Sequence, residues 1–141
     1  MPAITENKIR AKLLHPELKD FVFDKVDARK TKRESEAHRP GPDLPREQSY
    51  SQTEEENVKF EAFFDPRVAG PLSKRIRSKM TDFEDFPVQV QYLDRDGNVI
   101  TDATEDHAHC GILECSPPAG DANGTKPVKL ELMVAMGDLQ Q

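Results

Sequence analysis

Within nine residues the chain places two imidazoles and two thiols: "HAHCGILEC" holds His107, His109, Cys110 and Cys115. Thiolate sulfur and imidazole nitrogen are the usual ligands of tetrahedral zinc. A Cys/His pair is also the start of an activated nucleophile. That chemistry needs an oxyanion donor loop and a partner to orient the base, and neither is visible here. The spacing works against both readings. On a strand, His107 and His109 share one face while Cys110 points to the other, and only a bulge at Gly111 would gather all four. A disulfide meets a similar limit. Five residues along one strand separate two Cα atoms by about 16 Å, and the bond tolerates at most about 7 Å. Cys110 and Cys115 join within a chain only if Gly111 breaks the strand; otherwise they join neighbouring chains. The plain alternative is two histidines and two free thiols in a sheet.

A second candidate site precedes the first. In "DRDGNVITDATE", Asp94, Asp96 and Asn98 occupy the first, third and fifth positions of a calcium loop, and Glu105 falls at the twelfth. Such a loop needs Gly at its sixth position, where this chain has Val99, and a helix on each side. The left flank instead alternates as a strand, with Val88, Val90 and Tyr92 interleaved with Gln89, Gln91 and Leu93. Asp96-Gly97 is a favoured tip for a tight turn, since Gly adopts positive φ without steric cost. The hairpin reading is preferred. No Gly-rich phosphate loop, Ser-His-Asp set or paired-carboxylate cleft can be assembled, so neither a catalytic residue nor a cofactor is expected.

The elements that must position these residues read as mostly β. Asn7–His15 and Asp20–Ser35 are expected as strands, the second a long one leaving the core. Asn57–Asp65 alternates Val58, Phe60 and Ala62 against Lys59 and Glu61. The one helix is expected over Pro71–Met80, after a break at Pro71, with Asp65 available as a cap and Pro66 suited to a first turn. Leu72, Ile76 and Met80 form its apolar stripe, and Lys74, Arg75, Arg77 and Lys79 fill the rest. This basic helix suits either a nucleic-acid or membrane surface, or simply a solvated outer face. His109–Ser116 and Pro127–Leu139 supply further strands around the turn-rich "PPAGDANGTKP". Six or seven strands paired in sequence, with one short helix, predict an antiparallel β-sandwich or barrel.

Between these strands, Glu36–Glu56 holds Pro40, Pro42 and Pro45 and almost no large apolar residue, which predicts a long loop or extended arm. Tyr50 is its one aromatic anchor. Its "TEEEN" end is a carboxylate run suited to solvent. The 141 residues suggest one domain over 1–141, with 35% hydrophobic and 33% charged residues. Soluble domains are typically about 45–50% apolar and about a quarter charged. Such a chain buries a modest core, and assembly with partners would add stability. No run of eighteen apolar residues predicts a membrane span, and "MPAITENKIR" lacks the apolar stretch of a signal peptide. A net charge of −6 disfavours holding nucleic acid, yet suits a surface that nucleic acid slides past.

The order of parts resembles the tail tube proteins of contractile phages, which are similar to the Hcp-type tubes of type VI secretion. The resemblance rests on the strand "NVKFEAFFDPR", the short helix, "FPVQVQYLDRDGNVITDATEDHAHCGIL" and the terminal "VKLELMVAMGDL". "YLDRDGNVI" matches the family's "LLDxxGN" signature, within a span of about 58–139. The sequence departs from the family where "ATEDHAHC" replaces aromatic residues after the hairpin, and in its two cysteines. The resemblance implies a virion subunit, assembled in the host cytoplasm, that forms six-membered rings stacked into a tube within a sheath, with DNA passing through the lumen. It implies that Lys74, Arg75, Arg77 and Lys79 face the sheath. It also implies that the arm, with Pro40, Pro42, Pro45 and Tyr50, reaches a neighbouring ring. Repetition in such a tube would bring Cys110 and Cys115 of neighbouring subunits together, so an inter-subunit disulfide is expected. The alternative function is a free-standing metal-binding or small-ligand β-barrel.

Overall fold

A computed structural model describes residues 8–38 and 47–141. In chain order its strands are β1 (Ile9–Leu13), β2 (Val22–Phe23), β3 (Lys25–Val26), β4 (Thr31–Lys32), β5 (Ser35–His38), β6 (Glu47–Tyr50), β7 (Glu54–Glu55) and β8 (Val58–Phe63). After the helix α1 (Ala69–Ser78) come β9 (Phe86–Tyr92), β10 (Glu105–Ser116), β11 (Lys129–Ala135) and β12 (Leu139–Gln140). The protein is mainly β and antiparallel throughout, with one α-helix among the described residues, as its alternating patterns predict.

Eight strands form one sheet in the order β2-β1-β9-β10-β11-β8-β3, with β12 also on β10. The two ends of that order, β2 and β3, are separated in the chain by Asp24 alone. The sheet therefore rolls until one short stretch of backbone supplies both of its edges, which makes it a barrel. This closure removes most of the open edge that a small sheet would otherwise expose. Pairing is less sequential than expected. β1 pairs with β9, and β8 lies between β11 and β3. The apolar alternation of a strand names its inner face but says nothing of its partner.

The interior is filled by Phe23, Phe60, Val88, Val90 and Leu132, all completely buried. Val58, Phe60 and Ala62 face inward as their alternation predicts. Glu61 lies on the other face of β8, yet it too is nearly buried, because Lys25 Nζ sits 2.9 Å from its carboxylate. This carboxyl is held below the usual range, chiefly by hydrogen bonding to Lys25.

Three expected elements are redrawn. Asp20–Ser35 is not one strand but three short ones and the first residue of a fourth, because the chain passes at Asp24 from pairing with β1 to pairing with β8, closing the barrel, and then leaves it. Pro127–Leu139 is broken after Ala135, opposite the irregular part of β10, and pairing with β10 resumes at β12. The helix begins at Ala69 and runs through Pro71, its third residue. First-turn N–H groups have no intrahelical acceptor, so proline sacrifices nothing there. Asp65 does organise the entry. Its Oδ1 accepts from Arg67 N–H at 3.1 Å and its carbonyl accepts from Ala69 N–H at 2.7 Å. At the far end the chain tightens into a 3-10 turn, Met80–Phe83, which drops Phe83 into the core.

Gly137 is required by close approach. A Cβ there would meet the Ala108 carbonyl oxygen at 1.6 Å, whereas one at Gly120 meets nothing within 4 Å. Gly137→Ala is expected to destabilise the protein by about 2 kcal/mol or more, and Gly120→Ala to stay within about 0.5 kcal/mol of wild type, by urea unfolding.

Candidate assembly site

The "DRDGN" segment is a hairpin tip. Gly97 takes φ 85°, and Leu93 bridges to Val99. Asp94 Oδ1 accepts from the N–H groups of Asp96 and Asn98, each at 2.9 Å, and the Asp94 N–H donates to the Asn98 carbonyl at 2.8 Å. A short side chain closing its own turn is the ordinary work of Asp at such a site. The flanks are extended, not helical. Among the described residues no three His, Cys, Asp or Glu side chains gather in a way that would hold a metal.

The His/Cys cluster is separated by a bulge, placed two residues earlier than expected. The register of β10 against β9 shifts between His107 and Cys110, and His109 takes φ 58°. The extra residue moves Cys110 onto the same inner face as His107, where strict alternation would have opposed them. His107 is 1% exposed and Cys110 0%. His109 instead swings out, its side chain 81% exposed, with Nδ1 2.8 Å from Asp85 Oδ1. Cys110 Sγ accepts from the Gly137 N–H at 3.3 Å. Both thiols are free. Cys110 is fully buried within its own barrel, whereas Cys115, its expected inter-subunit partner, is half-buried. Burial pushes both thiols above their ordinary pKa.

On α1, Ile76 is buried and Leu72 packs against the core, as the stripe predicts, while Met80 packs there from the 3-10 turn that follows. The four cations divide. Lys74, Arg77 and Lys79 are exposed and form no ion pair among the described residues. Arg75 is engaged within the subunit: Nε lies 3.0 Å from Glu17 Oε1 and Nη2 2.7 Å from Asp82 Oδ2, and its guanidinium passes over the Phe83 ring. It ties the helix to the loop after β1 and to the 3-10 turn. The outward basic face therefore consists of three residues.

The described residues of the expected loop or arm at 36–56 belong to a ribbon of paired strands. β4 pairs with β7, and β5 with β6. Between the two pairs, Ser51 Oγ accepts from the Glu34 N–H and the Ser51 N–H donates to the Glu34 carbonyl. Pro40, Pro42 and Pro45 lie outside the described residues. Tyr50, on β6, is 56% exposed and carries the Arg33 guanidinium 4.2 Å above its ring.

Sequence reasoning missed what holds this ribbon at its root. Arg29, just before β4, donates from Nη2 to Glu105 Oε2 at 3.0 Å and from Nε to Glu105 Oε1 at 3.3 Å. It also donates to the Tyr92 hydroxyl, which in turn donates to Glu105 Oε2 at 2.5 Å. Behind the carboxylate, His107 Nε2 lies 3.7 Å from Glu105 Oε1. Burial pushes the Glu105 carboxyl up, but the hydrogen bonds from Arg29 and Tyr92 outweigh it and hold the group below its ordinary pKa. No local pattern joins residues 29, 92 and 105. The only signal in the sequence was an isolated Tyr and Glu at the two ends of a hairpin.

Three outcomes follow from this geometry. In the native protein a thiol reagent labels Cys115 slowly, and faster as pH rises, whereas Cys110 reacts only after denaturation; a non-reducing gel shows monomer. Among the helix cations, Arg75→Ala lowers the melting temperature most. A depressed folded pKa gives stability that is full above the unfolded value and lost as pH falls through the folded one. Glu105→Gln should therefore cost about 1 kcal/mol at pH 7, and its difference from wild type should shrink as pH drops below about 4 in acid titrations of unfolding.

Neither a protein-family model nor a curated protein sequence matches the chain. Solved structures do match in shape. A chain of the tube-terminating cap of the anti-feeding prophage superposes with TM-score 0.78 at 11% identity, covering 99% of this chain and 91% of that one. A chain of the PVC sheath–tube complex, from an extracellular contractile injection system in its extended state, gives 0.76 at 12% identity, covering 98% and 90%. A chain of the sixfold-symmetrised anti-feeding prophage baseplate gives 0.76 at 14%, covering 99% and 95%. Identities this low speak for the fold alone, over nearly the whole length of each chain: the protein shares its fold with these chains of contractile injection assemblies.

Proposed function

We propose that the protein is a structural subunit of the inner tube of a contractile tail, forming six-membered rings that stack within a sheath. The observation that carries this reading is the β4–β7 ribbon, which projects from a closed barrel with almost all of its described side chains exposed. A two-stranded ribbon in water is marginally stable alone, so one kept exposed on a subunit gains order by lying against a second copy. The fold it shares with chains of tube, cap and baseplate assemblies supports the same reading, and one of those baseplates is described with sixfold symmetry.

In this reading Tyr50 and the prolines of the arm contact a neighbouring ring. Lys74, Arg77 and Lys79 face an acidic sheath surface. The net charge of −6 suits a lumen along which DNA phosphates pass without adhering. The subunit is a virion tail component in such a particle. A free-standing ligand barrel would need room inside for its ligand, and this interior is occupied by Phe23, Phe60, Val88, Val90 and Leu132.

Native mass measurement and negative-stain microscopy test the assembly. Hexamers, stacked rings or tubes are the expected result, and a strictly monomeric sedimentation profile at high concentration overturns the reading. Tyr50→Ala, which removes the arm's aromatic anchor, is expected to raise the critical concentration for polymerisation by about tenfold, with the unfolding midpoint unchanged. Lys74→Glu, Arg77→Glu and Lys79→Glu together are expected to leave tubes intact and to reduce co-sedimentation with the sheath protein.

A further inference from the structure

We infer that Arg29 is the positioning residue of the arm: its two-pronged bond to Glu105, completed by the Tyr92 hydroxyl, fixes the direction in which the ribbon leaves the barrel and so presents it to a second copy. This rests on the assembly reading for its purpose, though not for its geometry. Among the described residues from 28 to 57, Arg29 is the only one whose side chain hydrogen-bonds to the barrel. The other side-chain hydrogen bonds, ion pairs and cation–π contacts of the described ribbon residues stay within it: Thr31 to Glu55, Lys32 to Glu56, Arg33 over Tyr50, and Ser51 to Glu34. No residue between 27 and 57 belongs to the hydrophobic core cluster. The backbone adds one tie at the root, from the Asp27 N–H to the Lys59 carbonyl at 3.1 Å.

A ribbon joined by backbone alone can swing about its root. A guanidinium held in the plane of a carboxylate cannot rotate without breaking both bonds, which is why a fork-to-fork pair sets an angle and a single point charge does not. The barrel side of the clamp is itself rigid. Glu105 is paired with Val90 in the sheet, Tyr92 with Ile9, and buried His107 backs the carboxylate. The Arg29 side chain is only 16% exposed, so the pair is largely shielded from the screening that weakens surface ion pairs.

The test compares wild type, Arg29→Ala, Arg29→Lys, Tyr92→Phe and the swapped pair Arg29→Glu with Glu105→Arg. Backbone hydrogen exchange is measured by mass spectrometry on dissociated subunits, and polymerisation is measured separately. Loss of bonds to a charged group should speed exchange in the ribbon (residues 28–36 and 48–57) by about tenfold in Arg29→Ala. Exchange in the β8–β11 ladder should rise less than in the ribbon. Arg29→Lys, keeping charge without the fork, should fall between, and polymerisation should weaken in the same order. Ribbon exchange equal to wild type in Arg29→Ala overturns the inference. So does a uniform rise across ribbon and barrel together with a silent Tyr92→Phe, since the residue then serves stability alone. If wild type never polymerises, the tube reading fails, while the exchange pattern still decides whether Arg29 orients the arm.

Discussion

The bulge in β10 is the constraint on which the rest of this structure depends. A single 12-residue strand pairs through its first residues with β9 and β12, and through its last with β11. A flat strand cannot serve two directions at once. The extra residue at His109 bends it, and bulged strands also twist more strongly than regular ones. That bend carries the sheet round far enough for β2 and β3 to meet at Asp24. It also places His107 and Cys110 on one inner face and brings Gly137 against the Ala108 carbonyl. Gly111 packs behind the bend, where a Cβ would lie 2.9 Å from the Glu84 carbonyl oxygen.

Closure in turn decides what the subunit can offer to others. A barrel without long open edges does not invite uncontrolled strand addition, so contacts with neighbours fall to the parts that leave it. Two such parts stand out among the described residues: the ribbon, and the outward face of α1. They differ in chemistry. The ribbon mixes Lys32 and Arg33 with Glu34, Glu54, Glu55 and Glu56, whereas the helix presents Lys74, Arg77 and Lys79 without acidic neighbours on its own turns. Mixed charges suit contact between copies of one chain, and a uniformly basic face suits an acidic partner.

Polar groups near the core are used for position. Arg75 fastens the helix, Lys25 neutralises Glu61 on β8, and Arg29 fastens the ribbon through Glu105 and Tyr92. Arg75 and Arg29 reach from added segments to acidic partners, and Lys25 joins the barrel's edge strand β3 to β8. With 35% hydrophobic residues the chain has little apolar surface to spare for such joints. Ion pairs do this at small net gain in stability, but they specify geometry.

By itself the sequence determined the local periods: inward Val58, Phe60, Val88 and Val90, the Gly97 turn, the Leu72–Ile76–Met80 stripe, and with them a mainly β chain with one helix. These follow from alternation and from glycine's access to positive φ, which act between residues close in the chain. Only the tertiary structure decided that β8 sits between β11 and β3, that the described part of the expected loop or arm is a ribbon, that Arg75 pairs with Glu17 and Asp82 on the surface, and that Cys110 is sealed in the core. The bulge at His109 and the clamp of Arg29 on Glu105 belong to the same class. The last two depend on partners 24 and 76 residues away, chosen by how the whole sheet closes, and no short-range pattern carries that choice.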